Sequence, residues 1–193
     1  NNFQYIKILF IFSFYFFSLN NLFAKDLNFK ASEILTYEEG NLIVGNKNAE
    51  AKIDGELEIY ANKFTYNRND QTLVAEGNVK VNDLINSTNI ESNKIFYDKI
   101  QSKIISYDKT YFLIDKKYKI FSEDVNFLIN EAIVFSDKST KLIDDENNNI
   151  QLSSFKYSNK TEIVKGTDIK LLDKEKNSYF VNKGMLKLKD YEL

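Results

Sequence analysis

LEIYANKFTYNRNDQTLVAEGNVKVND, residues Leu57 to Asp83, is the stretch whose reading decides the fold. In its second half Leu73, Ala75, Gly77, Val79 and Val81 alternate with Thr72, Val74, Glu76, Asn78, Lys80 and Asn82. A period of two is that of a β-strand with one buried and one mostly solvated face. The first half has a different spacing. Ile59 and Ala61 lie two apart, but Phe64 comes three after Ala61, and Tyr66 follows. That step would turn Phe64 to the opposite face unless a bulge or corner absorbs one residue. Between the halves stands Asn67-Arg68-Asn69-Asp70. Asn and Asp suit turns because their side chains bond the local backbone and they tolerate left-handed dihedrals. The segment therefore predicts a bent strand, a polar turn and a second strand.

The same frame recurs on both sides. Ile90, Ser92, Ile95 and Tyr97 repeat the pattern of Ile59, Ala61, Phe64 and Tyr66; so do Ile120, Ser122, Val125 and Phe127, and then Ile150, Leu152, Phe155 and Tyr157. Weaker copies flank these: Phe29, Ala31, Ile34 and Thr36 upstream, Phe180, Asn182 and Met185 downstream. About six units with a period near thirty residues describe a stack in which each unit buries its apolar side only against its neighbours. In the third unit the apolar residues Ile105, Tyr107, Tyr111 and Leu113 fall one residue off the frame, which leaves its inward face open. No convincing helical stripe follows residue 26, and loops such as Asp144-Asp145-Glu146-Asn147-Asn148-Asn149 fall where the period puts turns. Residues 26–193 read as one continuous all-β stack.

Composition narrows the chemistry. The chain has 193 residues with no His, Cys, Pro or Trp. It therefore lacks the commonest general base, the thiolate nucleophile and the usual zinc ligands, so it does not read as a conventional enzyme and no catalytic residue is nominated. Lys and Arg total 26 against 28 Asp and Glu, and this balance carries no overall bias toward nucleic acid. Asp144, Asp145 and Glu146 offer the oxygen ligands calcium prefers, but no Gly-containing ligand loop or matching Glu follows, so neither a metal nor any other cofactor is expected. Lys116, Lys117 and Lys119 read as a solvated loop, with lipid phosphate at a rim as the sharper alternative.

Residues 1–24 predict a secretory signal peptide in helical form. Lys7 is a thin positive start, Ile8 to Phe17 form the apolar run, and Leu22-Phe23-Ala24 precede a cleavage point before Lys25-Asp26. The alternative is a retained anchor. Asn20-Asn21 interrupts the run short of the roughly 20 apolar residues that a span needs.

Ile59-x-Ala61-x-x-Phe64-x-Tyr66, a polar turn, and then Leu73-x-Ala75-Glu76-Gly77-Asn78-Val79-x-Val81 resemble the OstA-like family of periplasmic lipopolysaccharide-transport proteins. That family comprises a periplasmic bridge protein and the N-terminal domain of an outer-membrane assembly protein. The resemblance covers about residues 26–193 and is strongest from 57 to 81. It implies an open, taco-like β-jellyroll in the periplasm, associated with the outer membrane, non-catalytic, with lipopolysaccharide acyl chains in an apolar trough. It also implies that neighbouring β-jellyroll modules join edge to edge by β-augmentation. The long run of repeats looks more like the assembly-protein domain, truncated at its C-terminus, whose partner would be an outer-membrane barrel if the chain is a fragment.

The expected trough residues are Ile59, Ala61, Phe64, Leu73, Ala75, Val79, Ile95 and Val125. Side chains of this kind could bury acyl chains at about 0.8 kcal/mol per CH₂. Small residues at Ala61, Ala75 and Gly77 would leave room for them; the plainer alternative is a closed hydrophobic core. Unpaired edges are expected at both ends of a stack, and Leu27, Phe29, Ala31 and Ile34 are the expected partner-contact residues of the N-terminal edge. Two other classes compete: a structural or adhesive β-solenoid with a dry core, and a carbohydrate-active β-helix using Asp/Glu pairs.

Overall fold

The structure, a computed structural model, describes residues 27–188. The expected signal peptide and the final residues of the expected domain lie outside them. Among the described residues there is no α-helix, and the 16 strands join in one antiparallel sheet.

The chain lays down successive rungs, each crossing the molecule once. Leu27–Lys30 (β1) with Glu33–Tyr37 (β2) makes the first. The unbroken strands Leu42–Ile53 (β3), Leu57–Asn67 (β4), Thr72–Asp83 (β5) and Thr88–Asp98 (β6) follow. Later rungs are cut near the middle: Lys103–Tyr107 (β7) with Lys109–Ile114 (β8), Tyr118–Glu123 (β9) with Asn126–Leu128 (β10), Ile133–Ser136 (β11) with Thr140–Ile143 (β12), and Asn149–Leu152 (β13) with Ser154–Ser158 (β14). Ile163–Leu172 (β15) and Ser178–Lys187 (β16) are again unbroken.

The two halves of each rung belong to two facing leaves. The first leaf contains β1, residues 49–53 of β3, 57–60 of β4, 79–83 of β5 and 88–91 of β6, then β8, β9, β12 and β13. The second contains β2, residues 42–46, 63–67, 72–76 and 94–98 of the same long strands, then β7, β10, β11 and β14. Both β7 and β8 pair with β6, and both β13 and β14 pair with β15. The sheet thus closes on itself as a folded ring, with a spine where the rungs bend and a mouth where the hairpin turns line up.

Register shifts mark the spine, between Asn46 and Ala49, Tyr60 and Lys63, and Glu76 and Val79. The extra residue after Ala61 in the sequence is absorbed at the second of these, so Ala61 and Phe64 both point between the leaves. Gly77 differs from its reading as an inward residue. It sits at the bend with φ +77°, and a Cβ there would lie 2.6 Å from Asn62 Nδ2. Its lack of a side chain serves the corner and leaves no space inside.

The open question of the third unit is resolved by hydroxyls. Ile104, Ser106, Thr110, Phe112 and Ile114 face inward, while Ile105, Tyr107, Tyr111 and Leu113 face out. Polar residues occur at inward positions because the rungs are cut there and free backbone groups need partners. Thr110 Oγ1 donates to Ser106 Oγ at 2.8 Å, which accepts from the Val125 N–H at 3.2 Å. Ser122 and Thr140 bond each other at 2.7 Å. The hydrophobic frame therefore continues unshifted, interrupted by serine and threonine at the spine.

Candidate functional site: the space between the leaves and its rims

All eight expected trough residues lie between the leaves. Ile59, Phe64, Leu73, Ala75, Val79, Ile95 and Val125 are at most 2% exposed, and Ala61 is 9% exposed. They belong to one apolar cluster running the length of the stack, from Ala49 to Leu188. Phe112 of the first leaf meets Phe127 of the second edge to face, with ring centroids 6.4 Å apart. The side chains of the two leaves themselves fill the interior.

At the N-terminal end Phe29 of β1 stacks on Phe64 at 4.6 Å and tilts against Tyr66 at 5.2 Å, tying first leaf to second. Phe64 in turn covers Gly45, its cross-strand partner, where a Cβ would overlap the ring. Leu27 and Ala31 are half-buried beside it, and Ile34 is exposed. Every residue of β2 is exposed, and at the other end so are Tyr179, Phe180 and Met185 of β16. Among the described residues no strand pairs with the outer edge of either terminal rung, and both rungs carry apolar side chains there.

The mouth is held by polar groups that the sequence did not single out. The Asn86 amide, in the turn after β5, donates to Asp83 Oδ2 at 2.6 Å and across the mouth to the Ile129 carbonyl at 3.0 Å. Asn159 Nδ2 donates back to the Asn86 carbonyl at 2.9 Å. Buried Asp83 also accepts the backbone N–H groups of Ile85 and Asn86. Beside this clasp Leu84, Ile85 and Ile100 are strongly exposed. The abundance of Asn in the chain masks these two positions, because nothing local distinguishes them from turn asparagines. In the acidic loop Asp144 Oδ1 accepts from the N–H groups of Glu146 and Asn148, both at 2.9 Å, and its Oδ2 accepts from Asn148 Nδ2. Lys174 of the next turn ties the loop to its neighbour, its N–H donating to Asn148 Oδ1 at 3.0 Å and its Nζ to Glu146 Oε2 at 2.9 Å.

Tyrosines line the inner side of the mouth. Tyr118 of the first leaf packs on Tyr157 of the second with centroids 5.9 Å apart, and the Tyr157 hydroxyl donates to Asn159 Oδ1 at 3.3 Å. Burial raises the hydroxyls of Tyr66, Tyr97 and Tyr157 above the ordinary phenol value and pushes Tyr118 up to about 12. The folded state holds these protons more tightly than the unfolded chain, so their contribution is complete below the ordinary value of 10.0. It is lost as pH rises through about 12 for Tyr118 and on through the higher values of the more buried rings. Tyrosine ionisation should therefore leave denaturation midpoints unchanged from neutral pH up to the ordinary phenol value and lower them beyond it. Tyrosinate absorbance should show part of the 12 tyrosines ionising late, together with unfolding. Titration of all 12 at the ordinary value in still-folded protein would contradict this burial.

A single antiparallel sheet folded over into two leaves and closed at a bulged spine defines the class of protein by its architecture. No family model matches the chain, and no curated protein matches it. Among solved structures it is similar to the crystal structure of LptH, the LptA-homologous periplasmic component of the conserved lipopolysaccharide transport device from Pseudomonas aeruginosa. The TM-score is 0.52 at 13% identity, over 57% of this chain and 80% of that one. At this identity the likeness is one of fold, and it agrees with the resemblance carried by residues 57–81.

Proposed function

We propose that the chain is a non-catalytic periplasmic module for lipopolysaccharide transport, associated with the outer membrane. The observation that carries this reading is one apolar cluster that runs the length of the stack between two leaves, interrupted by serine and threonine at the spine, with a strand edge at each end that no described residue pairs. The OstA-like motif and the fold shared with LptH support it. In this reading the stack is an open β-jellyroll whose leaves part at the mouth. Acyl chains lie against Ile59, Ala61, Phe64, Leu73, Ala75, Val79, Ile95 and Val125, entering past Leu84, Ile85 and Ile100. The length of the stack beyond the span shared with LptH supports an N-terminal assembly-protein domain over a bridge protein.

The edges suit joining of modules. β2 turns Glu33, Leu35 and Tyr37 to the outer face, and Glu38 and Glu39 follow it; β16 turns Lys183 and Met185 outward. Acidic and apolar side chains at one end thus face basic and apolar ones at the other, a complementarity that favours head-to-tail β-augmentation. Both terminal rungs run from the first leaf to the second, so modules joined this way would pair in parallel. Edge contacts would come from Leu27, Phe29, Ala31 and Ile34.

The filled interior also supports a second reading, a structural solenoid with a dry core. Photo-crosslinking side chains at Phe64, Ile95 and Glu76 separate the two. Capture of lipopolysaccharide at the first two positions and not at outward-facing Glu76 is expected for transport. Equal labelling at all three, or none at the inward pair in folded protein, would favour the dry core.

A further inference from the structure

On the outer face of the long rungs, directly opposed residues of neighbouring strands carry opposite charge. Lys52 lies 2.7 Å from Glu58, Lys94 2.9 Å from Glu76, and Lys80 3.6 Å from Glu91, each pair in direct register. The outer face of the second leaf near its C-terminal end breaks this rule. There Phe135, Lys156, Lys165 and Met185 form one row across β11, β14, β15 and β16, with Lys156 directly opposite Lys165. The next row places Ser154 opposite Thr167 and Thr167 opposite Lys183. Like charges directly opposed in a sheet are destabilising. Among the described residues, no ion pair joins Lys156, Lys165 or Lys183 to a carboxylate.

These rows line an open surface groove of about 480 Å³ in which Asp137 is the one carboxylate among the described lining residues. Its apolar part comes from Phe135 and from Met185, which is 55% exposed. A groove of this size can seat a small molecule against one side, and an apolar floor with a few convergent polar groups is the usual make-up of ligand sites. Three lysines around a hydroxyl pair match an oxyanion: lysine binds phosphate as a point charge, and Ser154 and Thr167, hydrogen-bonded to each other at 2.9 Å, supply further polar groups. A bound phosphate would also relieve the repulsion between Lys156 and Lys165.

We propose that this groove binds a small phosphate-bearing ligand, with the phosphate held by Lys156, Lys165 and Lys183 and the apolar face of the ligand against Phe135 and Met185. The site lies on the outer surface, apart from the space between the leaves, and does not depend on the transport reading.

Glucose 1-phosphate is a suitable probe, followed by calorimetry and by melting temperature on the full chain. Inorganic phosphate, glucose and phosphatidylglycerol vesicles form the other arms. The sugar phosphate should bind about tenfold or more tightly than inorganic phosphate, with glucose not binding, since a tenfold change is the readily measured effect of one lost contact set. Lys165→Glu places opposite charges in register with Lys156, so this variant should melt at or above the wild-type temperature while losing binding about tenfold or more. That outcome separates loss of a site from loss of fold. Equal affinity of wild type and Lys165→Glu for the sugar phosphate, or equal binding of glucose and its phosphate, would overturn the proposal. So would binding to the vesicles with none to the soluble phosphates, which would make the patch a membrane-facing surface.

Discussion

Phe64→Ala is expected to remove about 3–5 kcal/mol of folding free energy, the usual cost of truncating a buried aromatic ring. Phe64 is 1% exposed, stacks on Phe29 and fills the space above Gly45. Its loss empties the N-terminal end of the interior and leaves Phe29 of the first leaf with only its tilted contact to Tyr66 across the interior. In urea the midpoint should fall with little change of slope, because the surface exposed on unfolding is nearly the same. The reciprocal change tests the geometry. Gly45→Ala drives a methyl into the Phe64 ring and should cost about 1–3 kcal/mol, the penalty of overpacking. In a Phe64→Leu background that cost should shrink, giving a coupling energy that distant sites would not show. Additive costs would mean that ring and glycine do not touch.

Much of this architecture is legible in residues 57–83, and the reason is local. Strand alternation writes the inward face directly, and the one-residue excess between Ala61 and Phe64 writes the bend. Asn67 and Asp70 write the turn, where Asn67 Nδ2 donates to Asp70 Oδ2 at 2.6 Å. The eight inward positions chosen on that frame all lie between the leaves. Legibility fails where hydrogen bonding, and not burial of carbon, decides the inward residue. Ser106 and Thr110 are inward because the cut rung needs their hydroxyls, so an apolar count steps off by one and selects Tyr107 and Tyr111. Gly77 misleads in the same way: its alternation says inward, but its positive φ makes it a corner. The clasp of Asn86 and Asn159 joins turns 73 residues apart, and no local pattern announces a contact of that range.

The rungs also explain why the period is near thirty residues. One unit is a hairpin of two rungs, each crossing both leaves, so the chain returns to the same rim only after the second. Inward residues of the two leaves thus meet partners set by stacking order and not by sequence distance. Phe112 faces Phe127, and Tyr118 faces Tyr157. The interior is therefore built jointly along its whole length, and a gap opened at any point lies between both leaves.

Tyr157→Ala uses that property to distinguish a lipid trough from a dry core. Tyr157 is fully buried, packs on Tyr118 and reaches Asn159, so it links the apolar interior to the clasp of the mouth. Truncation should cost about 3–5 kcal/mol, whereas Tyr157→Phe, which keeps the ring and loses only the hydroxyl bond, should cost about 1 kcal/mol. The space left is apolar on its inner walls and lies against the mouth. A ligand that binds the folded state raises its melting temperature in proportion to occupancy. If the leaves accept acyl chains, decanoate should raise the melting temperature of Tyr157→Ala well above any effect on Tyr157→Phe, because a ready-made gap spares the cost of parting the leaves. If the variant is destabilised to the same extent and decanoate leaves both proteins unchanged, the interior is a closed core. The transport reading would then have to rest on the edges alone.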